Sequence, residues 1–245
     1  MGRMTIVHLP RVDSTQGTIF DLAAQDAPDR TVVVADYQAA GRGRRGRAWD
    51  APAGTSLLTS ILVRPRAAPE RWGGYSLVSA LAVADALARV AGIGARLKWP
   101  NDILVGGRKI AGILLESRTP AAGPGAAGGA AVIAVGIGVN LGQRAFPAAL
   151  AARATSVALE TGRAVERDAA LTALLEAFDG WRGRMERDGL APVRARWLEL
   201  ADTIGRRVSV DGVTGVAVDL DVDGALVLED GARRHRVVAG ELEVV

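Results

Sequence analysis

Four arginines and three glycines fill the run Gly41-Arg42-Gly43-Arg44-Arg45-Gly46-Arg47, with Ala48 and Trp49 directly behind it. No regular element inside a core can hold this run. Adjacent like charges repel, and glycine loses too much backbone freedom in a helix or strand. A loop can hold it, because glycines let backbone N–H groups approach an anion while guanidinium forks grip its oxygens. The run begins a few residues after 31–37, a β-branched stretch that predicts a buried strand. The expectation is a mobile cationic phosphate clamp hung from a rigid strand, disordered until a ligand orders it.

The loop contains a literal G-x-G-x-x-G (Gly41, Gly43, Gly46), which raises a dinucleotide fold. That fingerprint must open a helix, whereas 48–54 contains Pro52 and Gly54 and has no helical spacing. Gly136-Ile137-Gly138 fails the same test, and the sequence has no P-loop. An arginine–glycine nucleic-acid segment stays open as the other reading of the loop. Such segments are usually longer, repeated and disordered, and this one is wedged between two predicted strands.

Composition narrows the field. With 245 residues, 49% apolar and 23% charged, the chain can bury a substantial core as one large domain with a small appendix. The net charge of +3 is small and partly concentrated in the loop, which points to a local anion site and not to a DNA-binding face. The absence of cysteine excludes a disulfide, a thiolate zinc site and a cysteine nucleophile. His8 and His235 lack ligand-spaced neighbours, so no metal held by protein ligands alone is expected. No apolar run is read as a bilayer span and no signal region precedes Thr5, which makes no membrane and a cytoplasmic location the default.

Of the 30 basic residues, 28 are arginine and only Lys98 and Lys109 are lysine. Where arginine is so favoured, a lysine marks a place that a planar fork cannot serve, because an ammonium is a compact point charge. Both lysines fall within twelve residues, which reads as a functional stretch.

Along the chain, 4–11 predicts a strand, and Asp13, Ser14 and Thr15 supply an N-cap for a helix over 16–25. Ser14 and Thr15 read equally well as caps alone. Strands follow at 31–37 and 55–63, then a helix over 72–90 stopped by Gly92. Lys98-Trp99-Pro100-Asn101-Asp102 forms a turn between short strands, and Gly106-Gly107 a hairpin into a strand over 109–116. A Gly/Ala/Pro-rich loop over 119–130 precedes a central strand over 131–139 that ends at Asn140. Helices are expected over 168–187, with Leu171, Leu174, Leu175, Phe178 and Trp181 on one face, and over 192–200. After Gly205 come strands at 207–210, 214–220, 225–228 and 234–238. Their turns, Asp211-Gly212, Asp223-Gly224 and Asp230-Gly231, predict a small antiparallel barrel of SH3-like size.

In Val12-Asp13-Ser14-Thr15, in 37–47 with Trp49, in 98–102, in Arg108-Lys109-Ile110-Ala111-Gly112 and in 136–140, the chain resembles the biotin protein ligases. These are the biotin–[acetyl-CoA-carboxylase] ligases, and the motifs stand in family order over nearly the whole chain. The resemblance implies an α+β fold: a mixed β-sheet catalytic domain with helices packed on it, like class II synthetases and lipoate ligases, over 1–202. A C-terminal SH3-like β-barrel would occupy 203–245. It also implies a reaction. Biotin and ATP give biotinyl-5′-AMP, and a lysine of a biotin carboxyl carrier protein then takes the biotinyl group.

By that resemblance Ser14, Thr15 and Gln38 hydrogen-bond the biotin ureido ring. Gly41, Arg42, Gly43 and Arg44 line the biotin and phosphate side, and Gly112 also lies with biotin. Lys109, at the carboxylate and α-phosphate, and Arg44 are the catalytic candidates. Arg44, Arg47, Asn101, Asp102 and Asn140 serve the nucleotide, and Trp49 covers it. Mg²⁺ would be held by the ATP phosphates and water. Gln16 stands where many relatives carry asparagine, which leaves that position's biotin contact in question. With the biotin motif starting at Asp13, there is no room before it for the helix-turn-helix of the repressor relatives, so a ligase-only form is expected. A lipoate or octanoate ligase of the same fold is the alternative, and the oligomeric state stays open.

Overall fold

The computed structural model describes residues 4–119 and 130–245, so most of the glycine- and alanine-rich loop lies outside the described residues. In chain order the elements are β1 (Thr5–Leu9), α1 (Thr15–Ala24), β2 (Thr31–Ala35), β3 (Ser56–Val63), α2 (Gly74–Ala91), β4 (Arg96–Lys98), β5 (Asp102–Val105), β6 (Arg108–Arg118) and β7 (Val132–Asn140). They continue as α3 (Ala148–Ala151), α4 (Val157–Thr161), α5 (Arg167–Asp188) and α6 (Ala191–Leu200), then β8 (Arg207–Val210), β9 (Val213–Leu220), β10 (Leu226–Asp230), β11 (Arg233–Val237) and β12 (Leu242–Val244). The chain forms two compact units, Met1–Ala68 with Ala111–Arg167, and Pro69–Ile110 with Asp168–Val245.

The first unit carries the mixed sheet. Strand β1 runs parallel to β2, and β2, β3, β7 and β6 follow as antiparallel neighbours. All eight residues of β3 are buried. An apolar run of this kind suits a strand covered on both faces, and polar Thr59 is satisfied by donating to the Val33 carbonyl at 2.9 Å. Helix α1 packs Ile19, Phe20 and Ala23 against Val33, Leu62, Val132 and Ala134. Each large side chain buried there contributes about 1.5–3 kcal/mol. Ser14 occupies the N-cap position of α1 with extended backbone, yet its side chain makes no capping bond. The reading of Ser14 as a cap alone therefore fails.

The second unit begins with α2, which ends as expected at Gly92, in the left-handed region at φ +68°. By length and composition Pro69–Ala91 is apolar enough to cross a bilayer, contrary to expectation. About 67% of that window is buried in the fold, Leu77, Val78, Leu81 and Val83 among it, so it packs as a core helix. Strands β4 and β5 pair as a hairpin around a cis Trp99–Pro100 bond, with Lys98 opposite Asp102. Gly106 and Gly107, both at positive φ, turn the chain from β5 into β6. On α5, Leu171, Leu174, Leu175 and Phe178 are buried, and half-buried Trp181 donates its indole N–H to Asp85 at 2.7 Å.

The C-terminal strands form a five-stranded antiparallel sheet in the order β11-β10-β9-β8-β12. Asp211 and Gly212 both adopt positive φ between β8 and β9, as a two-residue hairpin requires. In the turn between β9 and β10, the Val222 backbone N–H, and after it the Arg236 guanidinium, hold Asp221 below the usual carboxylate range.

The turn at Trp99 is braced by elements far away in the sequence. Its backbone N–H donates to Thr203 Oγ1 at 2.9 Å, its indole N–H to the Gly224 carbonyl at 3.2 Å, and Ser76 Oγ to the Pro100 carbonyl at 3.2 Å. Thr203 is 1% exposed. Thr203→Val keeps the shape and removes the acceptor, leaving the Trp99 N–H unsatisfied, so a loss of about 1–3 kcal/mol is expected. Urea denaturation measures it, and an unchanged midpoint would remove the bracing role.

Candidate functional site

The arginine loop has a defined path. Its neck is a short two-stranded ribbon in which Trp49 N–H donates to the Gly41 carbonyl at 2.9 Å and Gly43 N–H to the Arg47 carbonyl at 2.6 Å. Arg42 bridges Ala48 between those bonds. The tip is a single 3₁₀ turn over Arg44–Gly46, with Arg45 and Gly46 at φ +57° and +73°. A non-glycine residue at positive φ is uncommon, and here it spreads the arginines around a tight turn. Arg42 forms an ion pair with Glu116 on β6, Nη2 to Oε2 at 2.7 Å.

Beside the neck, the start of α1 meets the strand ends. Gln38 Oε1 accepts from the Thr15 backbone N–H at 2.8 Å and from Thr15 Oγ1 at 3.1 Å, and Thr15 Oγ1 lies 2.8 Å from Ser60 Oγ. Thr15 and Gln38, paired in the expectation, are thus in direct contact. Gln16 is 3% exposed and donates through Nε2 to the carbonyls of Leu114 and Ala134, at 2.8 and 3.2 Å. Its longer side chain reaches strands β6 and β7, which gives the departure from asparagine a structural use.

The two glycines of Gly136-Ile137-Gly138 explain themselves here. Across the ladder Gly138 pairs with Gly112, and Gly136 with Ser60. Residues paired in this way share a face, so Ser60, Gly112, Gly136 and Gly138 leave a strip of nearly bare backbone between Leu58, the other partner of Gly138, and Leu114, the other partner of Gly136. A Cβ on Gly136 would stand 2.9 Å from Gln16 Cδ, and one on Gly138 would stand 2.6 Å from the Trp49 indole. The Trp49 indole therefore occupies the space above Gly138, two residues before Asn140. Asn140 is 6% exposed; its Nδ2 donates to the Thr155 carbonyl at 3.0 Å and its Oδ1 accepts from Gln143 Nε2 at 3.1 Å. Gln143 also donates to Ser56 Oγ at 2.6 Å.

In the second unit, Lys109 Nζ lies 2.6 Å from Asp102 Oδ1, and Asn101 precedes Asp102 in the same turn. The pair is partly open, with side chains 34% and 26% exposed. Lys109 stands on β6 three residues before Gly112. The first unit thus brings together Ser14, Thr15, Gln38, Gly41 to Arg47, Trp49, Gly112 and Asn140, and the second unit Asn101, Asp102 and Lys109. Sequence reasoning missed Ser60, Glu116, Gln143 and Thr155. Each acts through a contact distant in sequence or through burial, and none sits in a recognisable local pattern.

The model of the Biotin/lipoate A/B protein ligase family matches residues 8–140. The biotin--[acetyl-CoA-carboxylase] ligase of Paracoccus denitrificans is 40% identical over 243 residues, covering 96% of this chain and 98% of that protein. The bifunctional ligase/repressor BirA of Bacillus subtilis is 32% identical over 250 residues, covering 100% of this chain and 75% of that one. In structure, the biotin protein ligase of Aquifex aeolicus in complex with biotin and ATP superimposes with a TM-score of 0.83 at 27% identity, covering 98% of both chains. The chain belongs to the biotin/lipoate A/B protein ligase family.

Proposed function

We propose that the residues of this site bind biotin and ATP and carry the adenylate between two half-reactions. The enzyme is an ATP-dependent, AMP-forming biotin ligase. A biotin carboxylate oxygen attacks the α-phosphorus of ATP, the bond to the bridging oxygen breaks, and pyrophosphate leaves with that electron pair. A carrier-protein lysine amine then attacks the acyl carbon, the bond to the AMP oxygen breaks, and the amine loses a proton. No side-chain nucleophile is needed, in keeping with a chain that lacks cysteine.

The observation that carries the reading is the arginine loop folded by its neck beside the Thr15–Gln38 pair and the glycine floor. Thr15, Gln38 and Ser14, whose hydroxyl is not used as a cap, offer hydrogen bonds to a ureido ring. Gly41, Arg42, Gly43 and Gly112 border the biotin side through backbone, and Arg44 and Arg47 meet phosphate charge. Lys109 supplies a point charge at the carboxylate and α-phosphate, and Asn101 and Asp102 serve the nucleotide. Trp49 covers it on the floor before Asn140. Joining two anions needs dense positive charge that closes over them, and closure keeps water from the mixed anhydride. Among the described residues no three Asp, Glu, His or Cys side chains converge as a metal site. Mg²⁺ would arrive with the ATP phosphates and neutralise their charge. The carrier partner is a biotin carboxyl carrier protein, and we place the reaction in the cytoplasm.

The test incubates the purified protein with ATP, Mg²⁺, a biotin-carrier domain and either biotin or lipoate. Biotin-dependent pyrophosphate release and a biotinylated carrier are expected. Transfer of lipoate in place of biotin, or no turnover with either, would overturn the reading.

A further inference from the structure

The ion pair at the loop neck points to a role for Arg42 different from that of the other loop arginines. Arg42 sits at the narrowest point of the ribbon, bridged to Ala48 and flanked by the Trp49–Gly41 and Gly43–Arg47 backbone bonds. Its guanidinium reaches Glu116, 74 residues away, at 2.7 Å. Glu116 pairs across the ladder with Ala134, and Gly112, four residues earlier on β6, pairs with Gly138. Alternate strand residues share a face, so the carboxylate stands on the face that carries the glycine floor. On the other flank of the neck, the Trp49 indole rests on Gly138. The ribbon is thus fastened to β6 by charge and to β7 by an aromatic ring.

We infer that Arg42 and Glu116 form a clasp that holds the neck of the arginine loop against β6, with Arg42 a positioning residue whose charge is engaged by protein and not by substrate. The inference rests on the biotin-activation reading. A clasp at the neck governs how often the loop lifts. Each lifting exposes the adenylate to water, whose oxygen attacks the acyl carbon while AMP leaves and biotin is regenerated. The clasp therefore acts on the coupling between pyrophosphate release and biotin transfer.

The test measures pyrophosphate released per biotin transferred to a carrier domain, for the wild type, Arg42→Glu, Glu116→Arg and the double reversal. Each single variant places like charges together and should raise the ratio about two- to fivefold, the range a partly exposed ion pair supports. The double variant restores the pair with its ends exchanged and should return to within about twofold of wild type, as the same pairwise coupling requires. A double variant no better than the worse single one would overturn the clasp and make Arg42 an anion ligand. Should a reversal melt early, Glu116→Gln keeps the volume and must raise the ratio by itself; no rise there also overturns the inference. Wild-type protein without biotin-dependent pyrophosphate release would instead refute the underlying function.

Discussion

Replacing Lys109 by arginine is expected to slow adenylate formation by about 100-fold or more, while biotin affinity changes by less than about threefold. The substitution keeps the charge, so a site needing only positive potential would tolerate it. The geometry argues otherwise. Lys109 Nζ already lies 2.6 Å from Asp102 Oδ1. A guanidinium at the same position would grip both carboxylate oxygens of Asp102 in the bidentate manner that arginine favours, and it would be drawn away from the reacting oxygens. The ammonium can leave one partner and offer its charge at a point between two oxygens, which a planar fork cannot do. Because the pair is about a third exposed, the fold should accept the longer side chain, so the loss is expected in rate and not in stability. Single-turnover pyrophosphate release and calorimetric titration with biotin separate the two effects. A wild-type rate of adenylation would refute the role.

How far the sequence foretold this arrangement depends on the range of each contact. Helices α2 and α5 and strands β2, β3 and β7 were legible because their patterns are local: apolar spacing, β-branched runs, and a left-handed glycine at position 92. Strand β12 was not foreseen. Its three residues form a strand only by pairing with β8, more than thirty residues earlier. The five-stranded antiparallel sheet after Gly205 is consistent with the small β domain expected there, since Asp-Gly turns reveal the hairpins though not the fifth strand. Of the site, the arginine loop and the paired lysines were visible through composition and the Lys98-to-Asp102 turn through Pro100 and Asn101-Asp102, while the individual roles came only from the family resemblance. Glu116 was not, since nothing about a glutamate on a strand announces a partner 74 residues back. Gly136 and Gly138 looked like a failed dinucleotide motif, and only the tertiary contacts with Gln16 and Trp49 show what their missing side chains make room for. Ser14 shows the reverse case, in which a local rule gave a cap and the backbone adopted the position without using the hydroxyl.

Gly41→Ala is expected to lower the kcat/KM for carrier biotinylation by about 100-fold, since displacing a positioned group by about 1 Å can cost that much. A Cβ at this position would lie 2.2 Å from the Trp49 carbonyl oxygen and 3.0 Å from Gln38 Nε2. The first atom is backbone and cannot rotate aside. Relief requires the neck to open, which lengthens the 2.9 Å bond from Trp49 N–H to the Gly41 carbonyl and draws the indole off Gly138. The second contact pushes on the amide whose Oε1 holds Thr15. One methyl group thus disturbs both the residues assigned to biotin and the ring assigned to the nucleotide. Gly46→Ala supplies the comparison. Gly46 lies at φ +73° with nothing within 4 Å of a Cβ, so alanine there meets only backbone strain, about 1 kcal/mol, and less than about tenfold loss is expected. Gly46 is exposed, so its variant should melt within about 4 °C of wild type, whereas Gly41 is buried and its variant is assayed at a temperature where it remains folded. If Gly41→Ala kept more than about a third of wild-type activity, or if Gly46→Ala proved the more damaging, the close approach at the neck would not be what shapes the loop. Loss at position 41 with the fold intact would instead show that the glycines of the run are not interchangeable sources of flexibility. Gly46 would then serve the turn, and Gly41 the contact that lets four arginines be held over one floor.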